Sequence, residues 1–536
     1  MNRRWAAALF VLIFILASVN FVFWAEQREG YHCDELWSHG LANSTFHYEV
    51  FDESGAIKWN TAADYDAYMT VAKDGRFDYL GVYYNQMTDV HPPLFYAIMH
   101  TAASFFPGSA SIYFCIIPNI LFTLGSCVFV YLIAMRTLKK RGLSLLSVGV
   151  FCFSVNCINM VIYMRMYAQL TFFTTALMYL YIRLRQQNFT LSKGVIFAVA
   201  AIVLGGAYTQ YYFFIFLFAI AFMAGYELKK LGDKKLIARY VRVTLVTAGI
   251  YVVTWPFVFL HIFGTGRGGQ AFGNVVVKGW FSGLKWFSVR FIEGIGPLLA
   301  GLLLLSAAFL VYKAIKGKRI KLKAYKNVGD IGAIAFSSIF YFLVMGKIAP
   351  YMVDRYIAVV FPLAAVLLVY ATHRVWNELV GVSRFKECIF AFALIVLIIL
   401  GHSGNMYQNL YKFEASEQEK NYLYRVSPEI RDIFDEYAGK KCVAIPIHEW
   451  QIMRNLPDYK NYSETAFVYA EDIERLKDDK HLASEQDFVL YIGFHHNPEV
   501  ILKRVKDACG FDSHTLLTEA NIRNRASIYR IYKTEK

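Results

Sequence analysis

Residues 31–38 read YHCDELWS and directly follow an apolar run, ALFVLIFILASVNFVFWA. Asp34 and Glu35 are therefore adjacent carboxylates at the edge of a greasy segment, where each disfavours the other's charge. A carboxylate within hydrogen-bond reach of a hydroxyl can act as a general base. Four other segments carry polar groups of different chemistry. DVHPPLFY (89–96) places His91 before two prolines, and YMRMYAQL (163–170) holds Arg165, Tyr167 and Gln169. GTGRGGQAFGN (264–274) is glycine-rich, and KIAPYMVDRYIAVVFP (347–362) holds Lys347, Asp354, Arg355 and Tyr356. Arginine offers a planar fork of donors suited to oxyanions. Asp354 can pair with one of its basic neighbours or hold a helix start.

The elements that must position these groups are hydrophobic. Of 536 residues, 57% are hydrophobic and only 18% charged, against about 25% charged in soluble domains. Runs long enough to span a bilayer lie near 5–24, 112–135, 142–160, 162–182, 194–208, 211–227, 242–262, 294–312, 331–346, 356–372 and 387–403. Residues 93–107 are apolar but short and bounded by prolines, so we place them in the interface. With Arg3 and Arg4 inside, RTLKKRG, RLRQQNFTLSKG, ELKKLGDKKLIARYVR, KAIKGKRIKLKAYK and HRVWNELVGVSRFKE all fall inside, as the enrichment of Lys and Arg in cytoplasmic loops requires. The expectation is eleven spans, a cytoplasmic N-terminus and an extracytoplasmic C-terminus. The net charge of +14 is then orienting loop charge, and nucleic acid is excluded as its partner. The first run lacks a small-residue cleavage site and reads as a retained span.

Two soluble pieces remain, both expected outside. The loop 25–92 holds twelve Asp or Glu against four Lys or Arg. The segment 405–536 alternates strand-like KKCVAIPI, ETAFVYA, DFVLYIGF, HTLLTEA and ASIYRIY with amphipathic SPEIRDIFDEYAG, AEDIERLKDD and NPEVILKRVKDACG. That alternation predicts a small extracytoplasmic α/β domain with a largely parallel sheet. The domains are thus 1–404, a polytopic α-helical membrane domain with interfacial helices in its outer loop, and 405–536. Of the eight cysteines, Cys442 and Cys509 form a candidate disulfide, and no zinc-type spacing occurs. The loop carboxylates beside His32, His39, His47 and His91 suit Mg²⁺ or Mn²⁺, whereas the histidines suit Zn²⁺. No ligand spacing selects a metal; a divalent Mg or Mn ion stays open, and no other cofactor is assigned.

Each motif has a plainer reading: solvated loop acids, arginines anchoring span ends, or a proline-started helix. The ordered set, however, resembles a known family, the GT-C glycosyltransferases of the protein mannosyltransferase and aminoarabinose transferase group. CDELWS resembles their acid pair in the first outer loop, HPPLFY the segment closing it, RMYAQL an Arg-x-Tyr-Ala motif, and DRYIAVVFP a late Arg-Tyr pair followed by proline. Order and spacing agree over about residues 1–405.

The resemblance implies a membrane enzyme that takes a sugar from a polyprenyl-phosphate or polyprenyl-diphosphate carrier. It passes the sugar to a protein, lipid or envelope-glycan acceptor at the outer face of the plasma membrane, with inversion. Asp34 would be the base and Glu35 would orient the site, with the reverse assignment open. Arg165, Arg355, Tyr356 and Lys347 would bind the donor phosphate, and His91, Tyr167 and Gln169 the substrate. Arg165 and Gln169, one helical turn apart, would face the same side. A transporter or flippase of lipid-linked glycans is the alternative. It would show paired repeats and broken midplane helices, which the sequence lacks.

Overall fold

The computed structural model describes residues 2–44, 57–264, 266–316, 328–410, 422–424, 426, 428–477, 479–520 and 525–534. Each expected apolar run carries a helix. The first nine helices are α1 (Arg3–Glu26), α2 (Cys33–Asn43), α3 (Ala62–Met69), α4 (Tyr79–Thr88), α5 (Leu94–Ser104), α6 (Tyr113–Leu138), α7 (Arg141–Cys152), α8 (Val155–Ile162) and α9 (Tyr167–Gln186). They continue as α10 (Lys193–Ala207), α11 (Phe213–Leu231), α12 (Lys234–Thr254), α13 (Val258–Phe263), α14 (Arg267–Val277) and α15 (Trp280–Ile295). The membrane series closes with α16 (Pro297–Ile315), α17 (Val328–Ile348), a 3₁₀ turn (Asp354–Val360), α18 (Phe361–Leu379) and α19 (Arg384–Leu410).

Among the described residues, seven helical spans are long and apolar enough to cross a membrane. The pair α7 and α8, bent by 56°, makes an eighth. The other three runs correspond to α10, which has only 15 residues, and to α9 and α11, whose last turns carry arginine or lysine. The protein is a multi-pass membrane protein. Helix α5 has 11 residues and rises about 16 Å, half of a hydrocarbon core of roughly 30 Å. It cannot span.

The chain forms two compact units. The first comprises Met1–Trp24, Gln86–Phe95 and Cys115–Gln408, and the second Ala25–Asn85, Tyr96–Phe114 and Asn409–Lys536. In the first unit, α18 is buried over most of its length and packs against α7, α16 and α17. Helices α12, α16 and α19 leave large apolar side chains such as Val253, Leu305 and Phe392 exposed, a pattern that suits lipid contact. Arg185 binds Asp330 (Nη1 to Oδ1, 2.7 Å) and Glu227 (Nε to Oε1, 3.1 Å), tying α9 to α17 and α11.

The second unit is built on a six-stranded sheet. Its strands are β1 (Trp59–Asn60), β2 (Lys441–Ile445), β3 (Glu464–Phe467), β4 (Asp487–Gly493), β5 (Ser513–Thr518) and β6 (Ala526–Tyr532), in the order β1-β3-β2-β4-β6-β5. Only β3, β2 and β4 are mutually parallel. The sheet is therefore mixed rather than largely parallel. The cause is the C-terminal end: only residues 519–525 separate β5 from β6, too few for a parallel crossover, so they pair antiparallel, and β6 returns antiparallel to β4. The outer loop supplies β1, antiparallel to β3.

Alternation along the strands sorts two cores. Cys442, Ala444, Val489, Tyr491 and Ile528 point to one face, with Ile433, Ile452, Met453 and Leu456, and with Cys33, Leu36, Tyr65 and Tyr68 from α2 and α3. Val443, Ile445, Phe488, Leu490 and Ile531 point to the other, against Ile473, Leu482, Ile501 and Val505. Cys442 belongs to the first core and Cys509 lies against the second, so the candidate disulfide does not form; both thiols are free.

Helix α2 crosses α3 where Gly40 meets the ring of Tyr68: a Cβ at Gly40 would stand 2.0 Å from Cζ. Gly40→Ala should destabilise this unit by roughly 1–3 kcal/mol through overpacking. Thermal unfolding in detergent, followed by limited proteolysis of the second unit, measures the loss.

Candidate functional site

The acid pair opens α2, and its local structure follows from the residue types. His32 is the N-cap: Nδ1 accepts the Asp34 N–H at 3.1 Å, and the Glu35 carboxylate accepts the His32 N–H at 2.7 Å. This reciprocal box satisfies donors that every helix start leaves open. Glu35 is fully buried and also receives both terminal nitrogens of Arg28, Nη1 at 2.8 Å and Nη2 at 2.5 Å. Burial pulls the Arg28 pKa down, but the charge and hydrogen bonds of Glu35 hold it above its ordinary value. At the other end, Asn85 and His100 donate to the Leu41, Ser44 and Ala42 carbonyls.

Glu35 is thus committed as an acceptor on three sides. Asp34 keeps a carboxylate with 19% of its side chain exposed, 3.7 Å from His32 Nδ1. The two neighbours separate into a structural acid and a solvent-accessible one.

Among the described residues, His32, Cys33 and Asp34 are the group whose ligand atoms come close, all within 4.8 Å. A thiol and an imidazole suit a soft or borderline ion rather than Mg²⁺ or Mn²⁺. The lone pair of His32 Nδ1 already accepts the Asp34 N–H, and an imidazole nitrogen has only one. A metal bound there would give up the helix cap. The donor set therefore fits Mg²⁺ or Mn²⁺ poorly, and His47 lies outside the described residues.

The arginines belong to the first unit. Arg165 does not lie on a helix. It sits in the turn between α8 and α9, its N–H on the Tyr163 carbonyl at 2.7 Å. The one-turn relation of Arg165 to Gln169 fails for that reason, since α9 starts only at Tyr167. Instead Arg165 Nη2 meets His91 Nε2 at 3.1 Å, while His91 Nδ1 meets Asp89 Oδ2 at 2.7 Å. Arginine can only donate, so His91 Nε2 accepts and its Nδ1–H donates to Asp89. Burial raises the Asp89 pKa, but the His91 contact, then the Val90 N–H and Arg165, pull it down to about 2. The Pro-Pro segment that carries His91 offers few donors of its own. It is tied through its flanks: His261 Nε2 donates to the Met87 carbonyl at 3.1 Å, and the Leu94 N–H to the Tyr208 carbonyl at 3.1 Å. Tyr211 O–H completes that tie on His261 Nδ1 at 2.7 Å.

Arg355 opens the 3₁₀ turn before α18. Asp354 holds that start, accepting the Arg355 N–H at 2.8 Å and Asn159 Nδ2 at 3.3 Å. The Arg355 guanidinium stands 4.9 Å from the Tyr163 ring centre, and Arg165 and Arg355 are both buried. Tyr356 is packed between Tyr167 and Tyr212 at 6.1 and 5.2 Å, its carbonyl accepting Tyr341 O–H at 3.1 Å. It serves as part of an aromatic wall. Gln169 is fully buried, and its amide has no partner among the described residues. Lys347 donates to the Lys278 carbonyl and lies over Trp280, while Lys278 Nζ donates to the Ala349 carbonyl at 2.9 Å. Both lysines therefore cap helix C-termini. The glycine-rich 264–274 segment leads into α14.

Arg28, Asp89, Asn159 and Tyr163 escaped the sequence reading. Asp89 had a signal, its two-residue spacing from His91; Arg28 pairs across a chain reversal and had none.

Residues 92–263 match the family described as dolichyl-phosphate-mannose-protein mannosyltransferase. The matched segment includes Arg165, Tyr167 and Gln169. No curated protein matches the chain. Among solved structures, the chain is similar to ArnT from Cupriavidus metallidurans bound to undecaprenyl phosphate, with 11% identity, 97% of each chain covered and a TM-score of 0.48. It is likewise similar to that protein in the apo state, with 13% identity, 98% of each chain covered and a TM-score of 0.48.

Two outcomes follow from the acid-bearing helix. Glu35→Gln leaves Arg28 buried beside a neutral amide, so it should cost about 3–5 kcal/mol and lower the level of folded protein; Asp34→Asn should not. Quantifying monodisperse protein after size exclusion separates the two. The second concerns His39, whose pKa is lowered from 6.5 to about 4 by burial and by Arg28. The unfolded chain binds that proton below its ordinary value and the folded chain only below about 4. Stability is therefore lost as pH falls through this window, by up to about 3 kcal/mol. Thermal melts of wild type and His39→Gln at several pH values should show a shallower acid slope in the variant.

Proposed function

We propose that the protein is an integral membrane glycosyltransferase. It moves a sugar from a polyprenyl-phosphate or polyprenyl-diphosphate carrier to an acceptor hydroxyl or amine at the outer face of the cell membrane. The acceptor is a protein, a lipid or an envelope glycan. The observation that carries this reading is the buried Arg165, which lies in the segment that matches the mannosyltransferase family and is held by the Asp89–His91 pair just before that segment. A phosphate oxyanion suits the planar donor fork of this guanidinium, which can offer it two parallel charge-assisted hydrogen bonds.

The steps balance as an inverting displacement. The acceptor oxygen or nitrogen forms a bond to the anomeric carbon as the bond from that carbon to the phosphate oxygen breaks. The electron pair leaves on the polyprenyl phosphate, where Arg165 and Arg355 stabilise it. The acceptor's proton passes to the Asp34 carboxylate. Glu35, engaged by Arg28 and the helix start, orients Asp34. Tyr163, Tyr167 and Tyr356 line the cationic group, and Gln169 supplies an amide for a sugar hydroxyl. The basic loops face the cytoplasm, and the C-terminal segment lies outside.

Cells lacking the protein should accumulate one polyprenyl-linked sugar, identified by mass spectrometry of the lipid extract. No accumulating species would overturn the reading. Asp34→Asn should abolish turnover of that extracted pool at normal protein level. Arg355→Ala should weaken polyprenyl-phosphate binding by roughly 2–4 kcal/mol. Arg355→Lys should keep weak activity, having the charge without the fork. Isothermal titration with polyprenyl phosphate in detergent measures the first, and turnover of the extracted pool measures the second.

A further inference from the structure

The first turn of α2 is surrounded by residues from the far end of the chain. Leu423 accepts the Glu29 N–H at 2.9 Å, and Glu29 Oε2 accepts both the Val426 N–H and Arg431 Nη2 at 2.7 Å. Tyr424 touches three consecutive alternate residues of this approach. Its ring lies 5.9 Å from the Arg28 guanidinium and 5.9 Å from the His32 ring. Its backbone sits against Gly30, where a Cβ would stand 2.8 Å from the Tyr424 carbonyl oxygen. Arg28 is the partner of Glu35, and His32 is the cap of Asp34. Behind the helix, Cys33 and Leu36 are buried among Ile452, Met453 and Leu456.

We infer that the C-terminal domain positions the acid of this enzyme, with Tyr424 as the positioning residue. The clasp acts through two contacts. One keeps Arg28 directed at Glu35, and the other keeps the His32 ring turned so that Nδ1 caps Asp34. Loss of the ring would let both side chains take other rotamers, and the Asp34 carboxylate would no longer be held at one angle. Misplacement of a catalytic group by about 1 Å costs on the order of 100-fold in rate without a matching loss of binding. Its contacts with Arg28 and His32 lie on the acid-bearing turn, so its loss is expected to change turnover rather than carrier binding.

This inference rests on the reading of Asp34 as the base, and the experiment separates the two. The full chain in detergent is assayed with the polyprenyl-linked sugar pool extracted from cells lacking the protein. Polyprenyl-phosphate binding is measured in parallel. Tyr424→Ala should lower kcat at least 10-fold with carrier Kd within twofold of wild type, and Tyr424→Phe should restore kcat. Gly30→Ala, which pushes the same contact apart from the other side, should act like Tyr424→Ala. Alkylation of Cys33 reports docking of the helix and should stay slow in every variant that is scored.

Wild-type kcat in both Tyr424→Ala and Gly30→Ala would overturn the positioning role while leaving Asp34 untouched. Loss of carrier binding together with kcat would also overturn it. Wild-type turnover in Asp34→Asn would instead remove the base, and with it the premise.

Discussion

The buried ion pair between Arg28 and Glu35 governs the acid-bearing part of the structure. Taking both charges out of water is expensive, and either one left alone would cost several kcal/mol. The pair is tolerable because further hydrogen bonds serve both partners. Glu35 also takes the His32 N–H, and Arg28 Nη2 also reaches the Gly30 carbonyl at 3.1 Å. Those bonds fix the chain reversal between residues 28 and 35. With the reversal fixed, α2 has only one way to start, and Asp34 is left with access to solvent. Burial of Leu36 and Cys33 in the core under the sheet then becomes compatible with an exposed acid one or two residues away.

The membrane unit solves a related problem by a different device. A guanidinium surrounded by apolar helices is costly unless its donors are taken up. Arg165 is served by a chain in which each member defines the protonation of the next: Asp89 accepts from His91, and His91 accepts from Arg165. Arg355 rests instead on the faces of Tyr163 and Tyr356, where the ring quadrupole attracts a cation. Asp354 spends its charge on the backbone at the start of the 3₁₀ turn and on Asn159. The two guanidiniums are thus held by different means, one by a histidine–carboxylate relay and the other by aromatic faces.

Several expectations survived because they depend on periodicity or composition. Each of the eleven apolar runs carries a helix, and all five strands expected in the C-terminal segment are present. Others failed for local reasons. Arg165 and Gln169 do not share a helix face because a turn intervenes. Lys347 lies close in sequence to Arg355, yet its ammonium is directed to Lys278. The helix Glu449–Tyr459 went unread because HEWQIMRNLPDY mixes polar residues with an interior proline.

By itself the sequence determined which segments are apolar enough for helices in a membrane and that an α/β unit ends the chain. It also marked the acids and arginines that could carry chemistry. These properties follow from the period of side chains along a helix or strand and from residue type. The tertiary structure decided which of two adjacent carboxylates is structural, since only the long-range approach of Arg28 distinguishes Glu35 from Asp34. It decided the tautomer of His91, which depends on a donor 74 residues away. It also assigned the outer loop to the sheet of the C-terminal segment, through β1 and the core around Leu36. Pairings at such separations leave no periodic trace in a single chain, because the contact is made by geometry after folding rather than by neighbouring residue types.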